Sequence, residues 1–216
     1  MTNQRLSKRW LLAVALSVGA LNAAQAQTTR TATAQSYVQR GEHWMKRGET
    51  LRAHADFDLA VATDPHEATA WLARGMARRQ AGDLLASLTD LERSVKLAPR
   101  LSKAYQQRAA TLYLLDRRTE AEADLELALE LDGKDANAWN DRGVLRHLRG
   151  ALAEALADYD QAIRLDGRKA RNRFNRGVLL LELKQRAAAE RDFAACVKRD
   201  ARFQADVAKV LSAHRP

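Results

Sequence analysis

One glycine recurs along this chain at a fixed interval and lies where glycine is unfavourable. It follows an arginine inside stretches such as WLARGMARRQ, whose other residues favour a helix, and glycine within a helix costs about 1 kcal/mol relative to alanine. The glycine falls at Gly41, Gly75, Gly143 and Gly177, and Ala109 fills the remaining place. Because the interval is 34 residues throughout, the chain is built from repeats, and the repeat constrains the fold more than any other feature.

Three further positions keep a fixed character when this glycine is numbered as position 8 of the repeat. Repeats 1 to 5 then span 34–67, 68–101, 102–135, 136–169 and 170–203. Position 4 carries Tyr37, Trp71, Tyr105, Trp139 and Arg173. Position 20 is small, with Ala53, Ser87, Ala121, Ala155 and Ala189. Position 24 is large and apolar, with Phe57, Leu91, Leu125, Tyr159 and Phe193.

This pattern resembles the tetratricopeptide repeat family, in which each unit is a helix–turn–helix, here called helix A and helix B. The resemblance implies an all-α, right-handed solenoid of about five repeats over 34–203, followed by a capping helix and tail over 204–216. Glycine at position 8 predicts that helix A approaches helix B closely at the small residue of position 20. Ala109 predicts that alanine is tolerated at position 8.

Two charged positions are the same in every repeat. Position 7 is Arg40, Arg74, Arg108, Arg142 and Arg176, and position 23 is Asp56, Asp90, Asp124, Asp158 and Asp192. A planar guanidinium suits a partly buried carboxylate, so the pattern predicts an Arg–Asp pair that bridges helices within or between repeats. Drift after duplication of the repeat is the alternative explanation. Either way, these residues and the position-8 glycines are predicted to be structural.

The first 26 residues have the order of a bacterial secretory signal peptide. Basic residues, an apolar run and small residues follow one another as Arg5, Lys8 and Arg9, then 10–21, then Ala24 and Ala26. The order predicts cleavage after Ala26, a periplasmic or exported mature chain without a transmembrane span, and a disordered segment over 27–33. An uncleaved inner-membrane anchor is the alternative, although the run is shorter than the roughly 20 residues that a span needs.

Composition and motifs exclude several classes of function. The formal net charge is +9, but acidic residues are interleaved with the basic ones, so the charge indicates solvated helix faces and no nucleic-acid partner is predicted. The single cysteine, Cys196, excludes an intramolecular disulfide. No phosphate-binding loop, dinucleotide fingerprint, nucleophile elbow or zinc-ligand spacing is present. We therefore predict no catalytic residue, no metal and no cofactor.

What remains is a surface for a partner. The resemblance implies a concave groove lined mainly by positions 2, 5, 9 and 12 of the A helices. The candidate residues are Val38, Met45, Leu72, Met76, Arg79, Lys103, Gln106, Tyr113, Asn137, Asn140, His147, Arg171, Phe174 and Leu181. Apolar, amide and basic groups together suit an extended peptide or a partner helix. The carboxylate clamp of some family members is not implied, because Val38 and Glu42 replace its Lys and Asn.

The sequence therefore predicts a non-catalytic interaction scaffold or adaptor in the periplasm or cell envelope that binds another protein or peptide. Self-association of the solenoid is compatible with this interpretation. Two alternatives remain open. The first is a binder of an anionic polymer or membrane surface that uses the groove residues Arg79, Lys103 and Arg171. The second is an enzyme with a cryptic site.

Overall fold

In a computed structural model, the described part of the chain is helical apart from the short turns between helices. The structure describes residues 3–214, with side chains from residue 20 onward. Within that range the chain forms eleven α-helices and one short 3-10 turn, and no strand. The predicted all-α class of consecutive helix–turn–helix repeats is confirmed.

The chain divides into two compact units, with the boundary between Ala98 and Pro99. The first unit holds repeats 1 and 2, in helices α1 (Asn3–Lys46), α2 (Thr50–Thr63), α3 (Ala68–Gln80) and α4 (Leu84–Leu97). The second unit holds repeats 3 to 5 and a last helix, in α5 (Ser102–Leu114), α6 (Arg118–Leu131), α7 (Ala136–Leu148), α8 (Leu152–Leu165), α9 (Ala170–Glu182), α10 (Arg186–Arg199) and α11 (Gln204–Ala213). Helices α1, α3, α5, α7 and α9 are the A helices, and α2, α4, α6, α8 and α10 are the B helices.

Helix α1 extends far beyond the A helix of repeat 1. Residues 27–33, expected to be disordered, are helical within it. Thr31 Oγ1 and Gln27 Nε2 donate to Asp64 Oδ2 at 2.6 and 3.0 Å. Burial alone would raise the pKa of Asp64, but these hydrogen bonds and one from the His66 N–H hold that pKa below its ordinary value. The segment was predicted to be disordered because it is polar, and two of its polar side chains thus donate hydrogen bonds to a buried carboxylate.

The features of the predicted signal peptide lie mostly before residue 20, outside the side chains that the structure describes. The backbone of α1 continues through Ala26 without a break. Residues 215–216 of the predicted tail also lie outside the described part of the chain.

Position-8 glycine makes room for the large side chain at position 24. A Cβ added to Gly143 would lie 2.8 Å from Cε1 of Tyr159, and one added to Gly177 would lie 2.6 Å from the Phe193 ring. The sequence predicted the close contact at position 20 instead. In the structure the position-24 side chain lies directly on the glycine, and position 20 contributes only a second contact, such as the Ser87 carbonyl near Gly75. The glycine therefore lets a ring or leucine fill the A–B interface.

Each A helix ends in a left-handed residue at position 15. The five residues are Gly48, Gly82, Asp116, Gly150 and Lys184, with φ between 58° and 88°. This conformation reverses the chain, and the next N–H returns to a carbonyl five residues earlier, as from Gln185 to Leu180 at 2.8 Å. The short turn that results sets helix B antiparallel against helix A.

Successive repeats are joined by a donor at position 4. It binds the carbonyl at position 32 of the preceding repeat in the pairs Trp71–Pro65 (2.9 Å), Tyr105–Pro99 (3.2 Å) and Trp139–Gly133 (2.9 Å). Arg173, which replaces the aromatic residue in repeat 5, donates to the Gly167 carbonyl in the same way. The departure from the aromatic pattern therefore keeps the hydrogen bond that joins the repeats.

The last helix covers the open end of repeat 5. Val207 of α11 is buried in a cluster with Leu180, Leu181 and Phe193, and Val210 and Leu211 pack beside it. An apolar face that a sixth repeat would otherwise cover is thereby removed from water.

We expect Gly143→Ala to destabilise the fold by about 1–3 kcal/mol, because the new Cβ would overlap the Tyr159 ring. In repeat 3 position 8 is Ala109 and position 24 is Leu125, so the alanine is paired there with a side chain smaller than a tyrosine ring. Adding Tyr159→Leu to Gly143→Ala copies that pair, so the two changes should be coupled by about 1 kcal/mol in a denaturant-unfolding cycle. Strictly additive effects would contradict the contact.

Candidate functional site

The invariant Arg and Asp residues form a two-pronged pair in each repeat. Nε of the arginine donates to one carboxylate oxygen and Nη2 to the other, at 2.6–2.9 Å, in Arg40–Asp56, Arg74–Asp90, Arg108–Asp124, Arg142–Asp158 and Arg176–Asp192. All five aspartates are buried. Each pair joins helix A to helix B of the same repeat, so its role is structural.

Aromatic stacking and electrostatics reinforce these pairs. In repeats 1 to 4 the guanidinium lies over the position-4 ring, 4.7–5.6 Å from its centroid. Hydrogen bonds from Arg40 hold the pKa of Asp56 below its ordinary value, and hydrogen bonding to Asp192 raises the pKa of Arg176. Both shifts favour the charged form of the residue concerned, the Asp56 carboxylate and the Arg176 guanidinium.

Two of the arginines also reach the preceding repeat. Nη1 of Arg74 donates to Asp58 at 3.1 Å, and Nη1 of Arg176 donates to Asp160 at 2.6 Å. One side chain therefore holds its own B helix and the neighbouring B helix. These contacts join repeat 1 to repeat 2 and repeat 4 to repeat 5.

The predicted groove residues divide into three groups in the structure. Buried are Val38, Leu72, Gln106, Asn140 and Leu181. Partly buried are Met45, Met76, Arg79, Asn137, His147 and Phe174, and exposed are Lys103, Tyr113 and Arg171. The five buried residues therefore contribute no open surface in the structure.

Most of the buried groove residues occupy position 5 of the repeat. Val38 belongs to a core cluster with Phe57 and Val61. The Phe174 ring packs with its centroid 5.2 Å from that of Phe203 and 5.9 Å from that of Phe193. Position 5 thus faces a neighbouring helix, and its residues contribute to packing rather than to an open groove.

Polar groove residues of repeats 4 and 5 bind one another across α7 and α9. The contacts are Lys169 Nζ to Asn137 (2.6 Å), Arg171 Nη2 to Asp141 (3.2 Å), Asn175 Nδ2 to Asn140 (2.9 Å) and His147 Nε2 to Glu182 (3.0 Å). Of these residues, Asn137, Asn140, His147 and Arg171 were predicted to contact a partner. In the structure each binds a side chain on or beside the adjacent A helix.

Large apolar side chains remain exposed at the C-terminal ends of α5 and α7. Tyr113 is 40% exposed, Leu114 54% and Leu148 50%. We call these three residues the A-helix patch. Leu114 and Leu148 occupy the same position, 13, in adjacent repeats of one unit, and neither was predicted from the sequence to be a site residue. Their apolar character is unusual at this position, because other repeats carry Lys46, Gln80 or Glu182 there.

The His, Cys, Asp and Glu side chains of the described residues form no group of three that could hold a metal ion. Cys196 is buried, and burial raises the pKa of its thiol. Across the described part of the chain, no helix is long and apolar enough to cross a membrane.

Comparison with known proteins agrees with the repeat. The profile of the tetratricopeptide repeat family matches residues 102–135, which are repeat 3. No curated protein sequence matches the chain significantly. Repeat 3 therefore matches the tetratricopeptide repeat family, and the other repeats form helix pairs of the same kind.

Solved structures share the fold at low sequence identity. PilF of Pseudomonas aeruginosa aligns with a TM-score of 0.74 and 19% identity over 85% of this chain and 86% of its own. TTC0263 of Thermus thermophilus, a thermophilic tetratricopeptide repeat protein, aligns with a TM-score of 0.72 and 19% identity, over 82% and 98%. YrrB, described as a tetratricopeptide repeat protein with an unusual peptide-binding site, aligns with a TM-score of 0.62 and 21% identity, over 82% and 89%.

Proposed function

We propose that this protein is a non-catalytic interaction scaffold and that its second unit binds a segment of a partner protein on the A-helix patch. The observation that carries the proposal is the exposure of Leu114 and Leu148 at the same position of neighbouring repeats, with the exposed Tyr113 beside Leu114 in the chain. Exposed apolar side chains scattered singly need no explanation, but a group at one end of adjacent helices is typical of an interaction site. Aromatic anchors of this kind dominate binding energy at interfaces.

The family and the fold support this proposal. Tetratricopeptide repeats are interaction modules, and YrrB is described as having a peptide-binding site. The ionisable residues that recur in this chain are held in Arg–Asp pairs within the repeats, so they act as structural groups. An extended segment or helix could anchor an apolar side chain on the A-helix patch and run along α5 and α7.

A binder of anionic polymer is the second candidate from the sequence, and the contacts favour it less. Lys103 is exposed, but Arg171 is bound to Asp141, so one of its three predicted cations is occupied in the free protein. Binding of this kind would fall steeply with rising salt, whereas binding through the A-helix patch would not.

The proposal is tested by a photoreactive residue placed at Tyr113 in the cells that make the protein. We expect a specific protein to be captured from position 113 and not from Leu127, which lies on α6 of the same repeat and is 42% exposed. With the captured protein purified, Leu148→Asp should weaken binding at least about thirtyfold, as loss of an interface anchor does.

Leu127→Asp is the matched control and should leave both binding and melting temperature unchanged. If Leu127→Asp abolishes binding while Leu148→Asp does not, the partner lies on the B helices and the proposed surface is wrong. If only Lys103→Ala and added salt weaken binding, the second candidate replaces the first.

We also propose that the chain is exported and that cleavage after Ala26 produces the mature protein. The basic start, apolar run and small residues of the first 26 residues support this proposal. Mass spectrometry of the protein from the cell-envelope fraction should then find Gln27 as the first residue. A chain that begins at Met1, or one confined to the cytoplasm, would contradict export with cleavage.

A further inference from the structure

A pocket of about 300 Å³ opens between α8, α9 and α10, on the side of repeats 4 and 5 where the B helices lie. It is lined by Leu156, Asp160, Arg176, Leu180, Gln185, Ala188, Arg191 and Asp192. This volume lies at the lower end of the range for ligand sites, about 300–1,000 Å³. It has room for one or two side chains rather than for a large cofactor.

The preceding junction, between repeats 3 and 4, explains why the pocket exists. There position 11 is Arg146, whose guanidinium fills the corresponding space among α6, α7 and α8. It binds four carboxylates, Glu122 (3.2 Å) and Glu126 (3.5 Å) on α6, and Glu154 (3.5 Å) and Asp158 (3.0 Å) on α8. Position 11 of repeat 5 is Leu180, which is too short to fill that space, so a pocket remains.

The residues that line the pocket also differ from their equivalents at the junction between repeats 3 and 4. Two carboxylates of the preceding junction are replaced by apolar residues, since Leu156 stands for Glu122 and Ala188 stands for Glu154. One guanidinium is added, since Arg191 stands where repeat 4 has Ala157. The space that holds an arginine at one junction is therefore lined at the next by three apolar side chains, by Asp160 and Asp192 in their hydrogen bonds with Arg176, and by Arg191.

The two arginines of the pocket differ in their availability. Arg176 is occupied, with three of its nitrogens donating to Asp192 and Asp160. Arg191 is exposed, and no carboxylate among the described residues lies within ion-pair distance of it. Lys184, exposed at the turn beside Gln185, adds positive charge at that end of the repeat. The edge of the pocket can thus bind an anion.

We propose that this pocket is a second docking site, separate from the A-helix patch, for an aliphatic side chain next to an acidic residue in a partner protein. The aliphatic side chain contacts Leu156, Leu180 and Ala188 at the floor. The adjacent carboxylate accepts hydrogen bonds from the Arg191 guanidinium at the edge. Charge complementarity selects this occupant, because the protein carries a net positive charge and the pocket edge carries an unpaired arginine.

The test is an NMR titration of the isotope-labelled full chain with three capped peptides that differ in one residue. The peptides are acetyl-Gly-Leu-Glu-Gly-amide and the same peptide with Gln or with Lys in place of Glu. We expect the Glu peptide to give saturable shifts of the Gln185, Ala188 and Arg191 amides. The Gln peptide should bind about threefold more weakly, the magnitude of an exposed ion pair, and the Lys peptide more weakly still.

Three variants that copy other repeats of this chain provide the controls. Arg191→Ala places the residue of repeats 1, 3 and 4 at position 22, and should make the Glu and Gln peptides bind equally. Leu180→Arg places the residue of repeats 2 and 4 at position 11, and should abolish binding by filling the pocket. Ala188→Glu places the residue of repeats 3 and 4 at position 19, and should abolish binding without altering the core beneath Leu180.

Equal or tighter binding of the Lys peptide would overturn the proposal, as would the absence of shifts with all three peptides. Unchanged binding in both Leu180→Arg and Ala188→Glu would also overturn it. Because the Tyr113 amide reports on the A-helix patch, it should stay unshifted in every titration. Failure of this site is therefore distinguishable from failure of the proposed function.

Discussion

The Arg–Asp pair between helix A and helix B is the interaction on which the rest of the structure depends. Each aspartate is buried, and a buried carboxylate without a partner would be strongly destabilising. The arginine satisfies both oxygens of that carboxylate, stacks on the position-4 ring in repeats 1 to 4, and in repeats 2 and 5 also holds the preceding B helix. The glycine at position 8 is the complementary constraint, because it lets a ring or leucine fill the space between the same two helices.

The regular part of this fold could be predicted from the sequence because it repeats. Glycine, aromatic, small and charged positions stayed in phase over five copies, and each has a packing or pairing role that recurs. The N-terminal extension could not be predicted in this way. Residues 27–33 occur once, and in the structure Gln27 and Thr31 donate hydrogen bonds to Asp64, a tertiary contact that no local pattern records.

The candidate site was harder to predict than the fold for a related reason. The sequence identifies the repeat position of a residue but not which neighbour the side chain meets. Asn140 and Arg171 look like partner contacts, yet both bind side chains of an adjacent helix. Leu114 and Leu148 stand where the other repeats carry polar residues, and they remain exposed. Departures from the repeat were the more informative signal, since Leu180 and Arg191 mark the junction at which a structural arginine gives way to an open pocket.

A double-mutant cycle on one Arg–Asp pair tests the central claim most directly. Repeat 3 suits it, because position 11 is Leu112 there and supplies no second arginine to Asp124. Arg108→Met, Asp124→Asn and the double variant would be compared by denaturant unfolding. The account predicts a coupling energy of about 2 kcal/mol or more, as for a largely desolvated pair. A coupling below about 0.5 kcal/mol, typical of an exposed ion pair, would contradict it.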